Sequence, residues 1–500
     1  MASEAELKQY LEVWEKELQE VMEKMGELSF KKYKEKKLDP ELVQLEKRRM
    51  ELLLNTELEG MVKYWLPLVS DKALQRKLEV LSDTILASKV MSHGEVSTLV
   101  RELDSMIVGY DYVVKGQLVD LGTVRNILKN EPDREVRKEA WLTSKNLSLQ
   151  MEEKLLELVH LRNSLARDQG YANYADMSLA LQGLQTEQVK EWLLDLTLKT
   201  NDLYQDLLTS GAKEQGLDSV QPWDVQYLLD SSGRSDSVFS RDKLLLALDQ
   251  WCKQHGVDLR ELGISVHFMD IPYNGLCMSI KRDDIRILGN PTNGYGYYKT
   301  IFHELGHSLH SAYNEQDSPV LRREAGVFSE GMAELFGYIM HEGKWLEELG
   351  LNSEGYEALQ KSLLGSWFHY LRQRTAYALF EYSLYANPAQ DLNQLMAKSE
   401  QDILGVAYDE TARWAANAWY VSFPVYWQNY VIADFIASQV HGYLKNEFGG
   451  FTGYPEVLSY LREKLLRPGA SIDWQVKIKD ATGRPLSADD LISDILNLKG

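Results

Sequence analysis

From Glu4 to about Met25 the apolar residues Leu7, Leu11, Trp14, Leu18, Val21 and Met25 recur in alternating steps of four and three. That spacing gathers them on one side of a helix. The pattern stops after a few turns, so a core-facing helix is expected rather than a coiled coil. The stretches 40–65, 72–88, 94–116, 121–130, 133–169 and 186–211 carry the same helical period, and Pro40, Pro67, His93-Gly94, Pro132 and Gly170 break it. Residues 1–215 therefore read as all-helical, with no repeat of fixed period and no low-complexity linker.

The texture changes between Leu259 and Gly289. Short β-rich pieces at 263–268, 276–280 and 284–288 are separated by Pro272, Asn274-Gly275 and Asp283, which predicts one small sheet. After a break at 290–294, which includes Pro291, the helical period returns and runs to the C-terminus, apart from Gly- and Pro-rich breaks near 448–455 and 467–485. The expected fold class is mainly α with one small β-sheet. A helical N-terminal part over 1–215 and a part over 216–500 would form one continuous fold.

Composition narrows the function classes. The 500 residues are 44% hydrophobic and 26% charged, the mark of a folded globular chain. With 55 basic and 75 acidic residues the formal charge is −20, and such a surface repels phosphate backbones and anionic lipid. No nucleic acid and no membrane partner is expected. Two cysteines, Cys252 and Cys277, cannot make a disulfide framework, and the N-terminus reads as a charged amphipathic helix rather than a secretory signal. A cytoplasmic home is expected.

Residues 303–307 read His-Glu-Leu-Gly-His. Two imidazoles four residues apart share one helix face, where both can reach a single tetrahedral Zn²⁺, and Glu304 between them can act as a general base on water. A catalytic zinc needs a third protein ligand and an open corner. No further histidine lies between His310 and His341, which favours a carboxylate. The segment 328–340 reads as a second helix on which Glu330 and Glu334 are i,i+4 and share a face. Two carboxylates on an otherwise apolar helix need a cation or a hydrogen-bond partner. Glu330 is expected as the ligand and Glu334 as the acceptor that orients a ligand imidazole, with Glu324 a rival for the ligand position. His310 is expected to pack or hydrogen-bond rather than bind metal. The run Gly294–Thr300 echoes a phosphate loop but lacks the glycine before its lysine, so no nucleotide site is expected.

FHELGHSLH at 302–310 followed by SPVLRREAGVFSEGMAE at 318–334 resembles the zinc peptidases of the thimet oligopeptidase and oligoendopeptidase F family and of the angiotensin-converting enzyme family. The segments 158–177 and 466–491 also resemble these families, so the likeness spans roughly 158–500. It implies a mostly helical, two-lobed fold around a deep channel, with N-terminal helices over its entrance and one zinc at its floor. It assigns His303, His307 and Glu330 as zinc ligands, Glu304 as the catalytic base and Glu334 as the acid behind a ligand. The stretch Tyr420–Tyr430 resembles the segment whose tyrosine stabilises the tetrahedral intermediate, with Tyr430 the match. Ten residues earlier these families carry a histidine where this chain has Tyr420, whose phenol is expected to donate in its place. Ala418 and Trp427 stand where converting enzymes hold the substrate's C-terminal carboxylate with a lysine and a tyrosine, which weighs against strict dipeptidyl carboxypeptidase action. The strands at 276–288 resemble the edge along which these peptidases lay a substrate backbone.

The expected activity is therefore hydrolysis of short peptides by a zinc oligopeptidase. A metallocarboxypeptidase or dipeptidyl carboxypeptidase of related fold stays open, as does a non-catalytic helical peptide-binding protein. The sequence is silent on the physiological substrate and the oligomeric state.

Overall fold

The computed structural model describes residues 3–229, 238–290, 292–406 and 413–498. Pro291 lies outside them. The described residues are mainly helical, with two small sheets. The chain forms two compact units from interleaved stretches: Met1–Lys89, Ser235–Tyr356 and Ala433–Ser487 make the first, and Val90–Arg234, Glu357–Ile432 and Ala488–Gly500 the second. The change of texture expected near residue 215 falls within the stretch Val90–Arg234 of the second unit. Helical period reports which face of an element is buried, and says nothing of which distant element it is buried against.

In the first unit the N-terminal helix Glu4–Glu35 starts on a capping box between Ser3 and Glu6. Leu7, Leu11, Trp14, Leu18 and Val21 are all buried in one cluster with Leu52, Leu58, Leu78 and Leu81, as their spacing predicts. The stretch 40–65 divides into Pro40–Leu53 and Thr56–Trp65, because the Asn55 side chain accepts from the backbone of Glu57 and Leu58 and starts a new helix.

The first unit also carries a three-stranded sheet. Numbering strands along the whole chain, these are β3 (Ile264–Phe268), β4 (Gly275–Lys281) and β5 (Asp284–Gly289), after β1 (Tyr112–Val114) and β2 (Gln117–Val119) of the second unit. Their order is β3-β5-β4, with β3 parallel and β4 antiparallel to the central β5. β4 is consequently an edge strand. The break expected over 467–485 contains a helix, Trp474–Thr482, capped by Asp473 and ended by Gly483 at φ 79°.

The second unit differs from the all-helical expectation at one place. The helix from Gly94 ends at Val108, and β1 and β2 form an antiparallel hairpin across Lys115-Gly116, both at positive φ. A two-residue turn of that kind matches the twist of its strands, and its glycine is the one signal that helical counting passes over. Arg137, fully buried, pairs with Asp224 at 2.7 Å, and Arg134 adds a second bridge to the same carboxylate. Among the described residues no helix is long and apolar enough to cross a membrane.

Candidate functional site

The site is built from two helices of the first unit, Tyr295–Tyr313 and Gly326–Gly337. Each buries an apolar stripe, Tyr298, Ile301, Phe302, Leu305 and Leu309 on one and Phe328, Met332, Leu335 and Phe336 on the other. They cross where Gly306 meets Ala333. A Cβ at 306 would lie 2.7 Å from Ala333 Cα, so only glycine permits the approach that brings Glu330 to the imidazoles.

His303 Nε2 lies 3.5 Å and His307 Nε2 3.9 Å from Glu330 Oε2. The three residues can offer ligand atoms that all lie within 4.8 Å of one another. Zinc bonds of about 2.0–2.1 Å in tetrahedral geometry separate ligand atoms by about 3.3 Å, so the donor set fits one such ion after small adjustments. The opposite ring nitrogens are occupied. Glu334 Oε2 lies 3.2 Å from His303 Nδ1, and Ser329 Oγ lies 3.3 Å from His307 Nδ1. Each imidazole is thereby oriented by a neighbour on the second helix, leaving its Nε2 turned to Glu330.

The electrostatics call for a cation. Burial would lower the pKa of His303, but its bonds to Glu330 and Glu334 outweigh that and hold it at about 10. Burial, with the charge of His303, pushes His307 down to about 3. Burial would raise Glu334, but Lys299 and His303 outweigh it and bring the carboxyl down to about 2. The pull that binds a proton between His303 and the two glutamates is the pull a divalent ion would use in its place.

Glu304 is 7% exposed, and its carboxylate rests on β4. The backbone of Cys277 hydrogen-bonds to it, and burial, aided by the charge of Glu330, raises its pKa to about 7 against the opposing pull of His303. A Cβ at Gly275 would stand 2.8 Å from Glu304 Oε1, so the missing side chain makes room for the acid. A carboxyl poised near neutrality beside a metal donor set suits proton transfer in both directions.

The other predicted residues fall differently. Glu324 is not in the donor set: it lies 2.5 Å from His310 Nε2 and also pairs with Lys477, which removes it as a rival ligand. His310 is accordingly a structural partner, as expected. Tyr430 and Tyr420 belong to the second unit. Tyr430 is half-buried among the rings of Trp419, Tyr426 and Trp427. Tyr420 is fully buried, stacks on Phe380 and donates its hydroxyl hydrogen to the Tyr377 carbonyl at 3.3 Å. In this arrangement the phenol expected to stand in for the missing histidine is engaged with a carbonyl of its own unit.

Sequence reasoning missed Lys299 and the part played by Ser329. Lys299 Nζ lies 2.6 Å from Glu334 Oε1 and so holds the acid that orients His303. It sits four residues before His303, on the same helix face, which is the signal that could have found it.

An HExxH helix joined by a glutamate from a second helix, in a mainly helical chain, defines the class of gluzincin-type metallohydrolases. A family model described as Peptidase family M3 matches residues 127–245 and 277–495, more than half of the chain. The chain belongs to Peptidase family M3, a zinc metallopeptidase family of the thimet oligopeptidase and oligoendopeptidase type, and is thus a peptide-hydrolysing enzyme. No curated relative matches it.

Proposed function

We propose that the chain is an oligopeptidase that cleaves short peptides with one zinc ion held by His303, His307 and Glu330. The observation that carries this reading is the convergence of two Nε2 atoms and one carboxylate oxygen whose orienting partners, Glu334 and Ser329, are already in place. Bound there, zinc supplies Lewis acidity toward a carbonyl and a lowered pKa for water. Glu304 takes the proton of the attacking water and returns it to the leaving amine. Its raised pKa supports both transfers. Tyr430 donates a hydrogen bond to the developing oxyanion, a role that rests on the resemblance of its segment to the family. The edge position of β4, with Glu304 lying against it, supports a substrate backbone laid along that strand, a mode that tolerates many side chains.

Mass spectrometry of products from a random pool of short peptides tests the reading. Internal cleavage, including cleavage of C-terminally amidated peptides, abolished by a chelator and restored by zinc, is expected. Release of single residues or dipeptides from free C-termini alone would replace the oligopeptidase with a carboxypeptidase or dipeptidyl carboxypeptidase. A metal-loaded protein that binds peptides and leaves them whole would mean a binding protein.

A further inference from the structure

The second unit holds arginines that form no ion pair among the described residues. Arg374, on the helix Ser353–Ala386, places its guanidinium carbon 3.4 Å from the centre of the Tyr370 ring, with the Tyr430 and Trp427 rings at 5.6 and 5.7 Å. A guanidinium carries five N–H donors. This one makes a single hydrogen bond within the described residues, from Nη1 to the Tyr370 carbonyl at 3.2 Å, while its Nε is buried with no partner. Arg413 repeats the pattern: it stacks 3.7 Å from the centre of the Trp141 ring, and its Nε is buried without a partner. Neither arginine forms an ion pair among the described residues.

These charges share one neighbourhood. Arg413, Arg374 and Arg125 all act on the Tyr377 phenol, whose ring lies 5.3 Å from that of Trp427. The acid that acts on the same phenol, Glu400, is buried, leaves Oε2 without a partner and forms no ion pair among the described residues. Burial raises its carboxyl above the usual range, against the opposing charge of Arg413. The contrast within the unit is Arg137, which is buried against Asp224. In a chain of net charge −20, positive charge held beside aromatic rings without an ion pair is a local departure from the general field. Stacking covers the faces of a guanidinium, and with Nε buried and one Nη1 hydrogen on the Tyr370 carbonyl, the Nη1–Nη2 edge of Arg374 keeps the geometry that grips a carboxylate with two parallel bonds.

The geometry points to a carboxylate-binding subsite made by Arg374, with Arg413 as a second cation and the rings of Tyr370 and Trp427 beside it. Its ligand is a carboxylate of the peptide substrate, from the C-terminus or from an aspartate or glutamate side chain. The inference rests on the peptidase reading, because Tyr430, which Arg374 approaches, is the residue given oxyanion support there.

The test uses the full-length zinc-loaded protein and one peptide sequence in four forms: free acid without acidic side chains, its C-terminal amide, the amide with one glutamate, and the amide with glutamine at that position. Binding is followed by tryptophan fluorescence in the Glu304→Gln protein, and cleavage in the active enzyme. The free acid, the glutamate peptide or both are expected to bind at least tenfold tighter than their neutral counterparts, and which of them does so identifies the source of the carboxylate. Adding Arg374→Gln is expected to bring that ratio close to one, and Arg374→Lys, which keeps charge without the fork, to leave an intermediate ratio. If Arg374→Gln does not fold, Arg374→Lys and Arg413→Gln read the same ratio. Acid and neutral peptides bound alike, or a preference unchanged in the arginine variants, overturns the subsite. Failure of the active enzyme to cleave any of the four forms would instead sink the peptidase reading.

Discussion

Two clusters of imidazole and carboxylate sit on the helix Tyr295–Tyr313, separated by three residues, and they are finished in opposite ways. Around His310 every strong group is answered from within: His310 Nε2 meets Glu324, whose other oxygen meets Lys477, and Lys477 also donates to the carbonyls of Leu465 and Gly469 at 3.0 and 3.2 Å. A lysine has three donors, and here all three are engaged. Around His303 and His307 the Nδ1 atoms are answered from the second helix, while the two Nε2 atoms and a Glu330 oxygen turn toward one another. The same residue types therefore make a closed structural joint in one place and a converging donor set in the other. Residue identity does not mark a metal centre; convergence of donors on one point does.

The largest expected effect lies at the open cluster. Glu304→Gln keeps the donor set and removes the proton carrier, so kcat should fall by about 10²–10⁴ while zinc content stays unchanged. Undiminished peptide hydrolysis would remove Glu304 from its role. At the closed cluster, Lys477→Met leaves Glu324 buried beside His310 without its main countercharge. Breaking a buried pair on one side costs about 3–5 kcal/mol, which denaturant unfolding would read as a large loss of stability. A variant as stable as the parent would show that the joint holds nothing.

Much of the open cluster was legible in sequence because its rule is periodic. Two histidines at i,i+4 and two glutamates at i,i+4 declare their shared faces by spacing alone, and the three β-rich pieces fell within a residue or two of the strands that support Glu304. What stayed hidden was set by approach between distant elements. Gly306 allows the two helices to cross, Gly275 makes room for Glu304, and Ser329 reaches His307, and none of these roles has a spacing to betray it. Tyr420 is a different case. Its place in a family-like segment suggested chemistry, whereas its burial and its bond to the Tyr377 carbonyl make it a core residue.

Smaller effects sharpen the contrast. Ser329→Ala removes the group that orients His307 without touching a donor atom, and zinc affinity should weaken by about 10–100-fold in a competition assay with a chelator. Unaltered affinity would mean that packing alone orients the ring. A second closed joint in the first unit gives a pH signature. Glu342 accepts from the backbone of Phe451 and Thr452 at 2.8 and 2.7 Å and lies 3.0 Å from His441 Nε2. Burial would raise its pKa, but these bonds outweigh it and hold the carboxyl at about 2, below its ordinary 4.5. A depressed carboxylate stabilises the fold above its unfolded pKa, and that contribution is lost as pH falls toward the folded value. Glu342→Gln should therefore cost about 1–3 kcal/mol at neutral pH, with the gap to the parent narrowing below about pH 4.5. A gap that is constant down to about pH 2 would contradict the assignment.

Zinc titration of three proteins side by side reads the metal site most directly. The parent should bind one zinc ion per chain, His310→Gln should do the same, and Glu330→Gln should lose at least a hundredfold in affinity. Parental affinity in Glu330→Gln, or loss of the ion in His310→Gln instead, would mean that the metal is not held where His303, His307 and Glu330 meet.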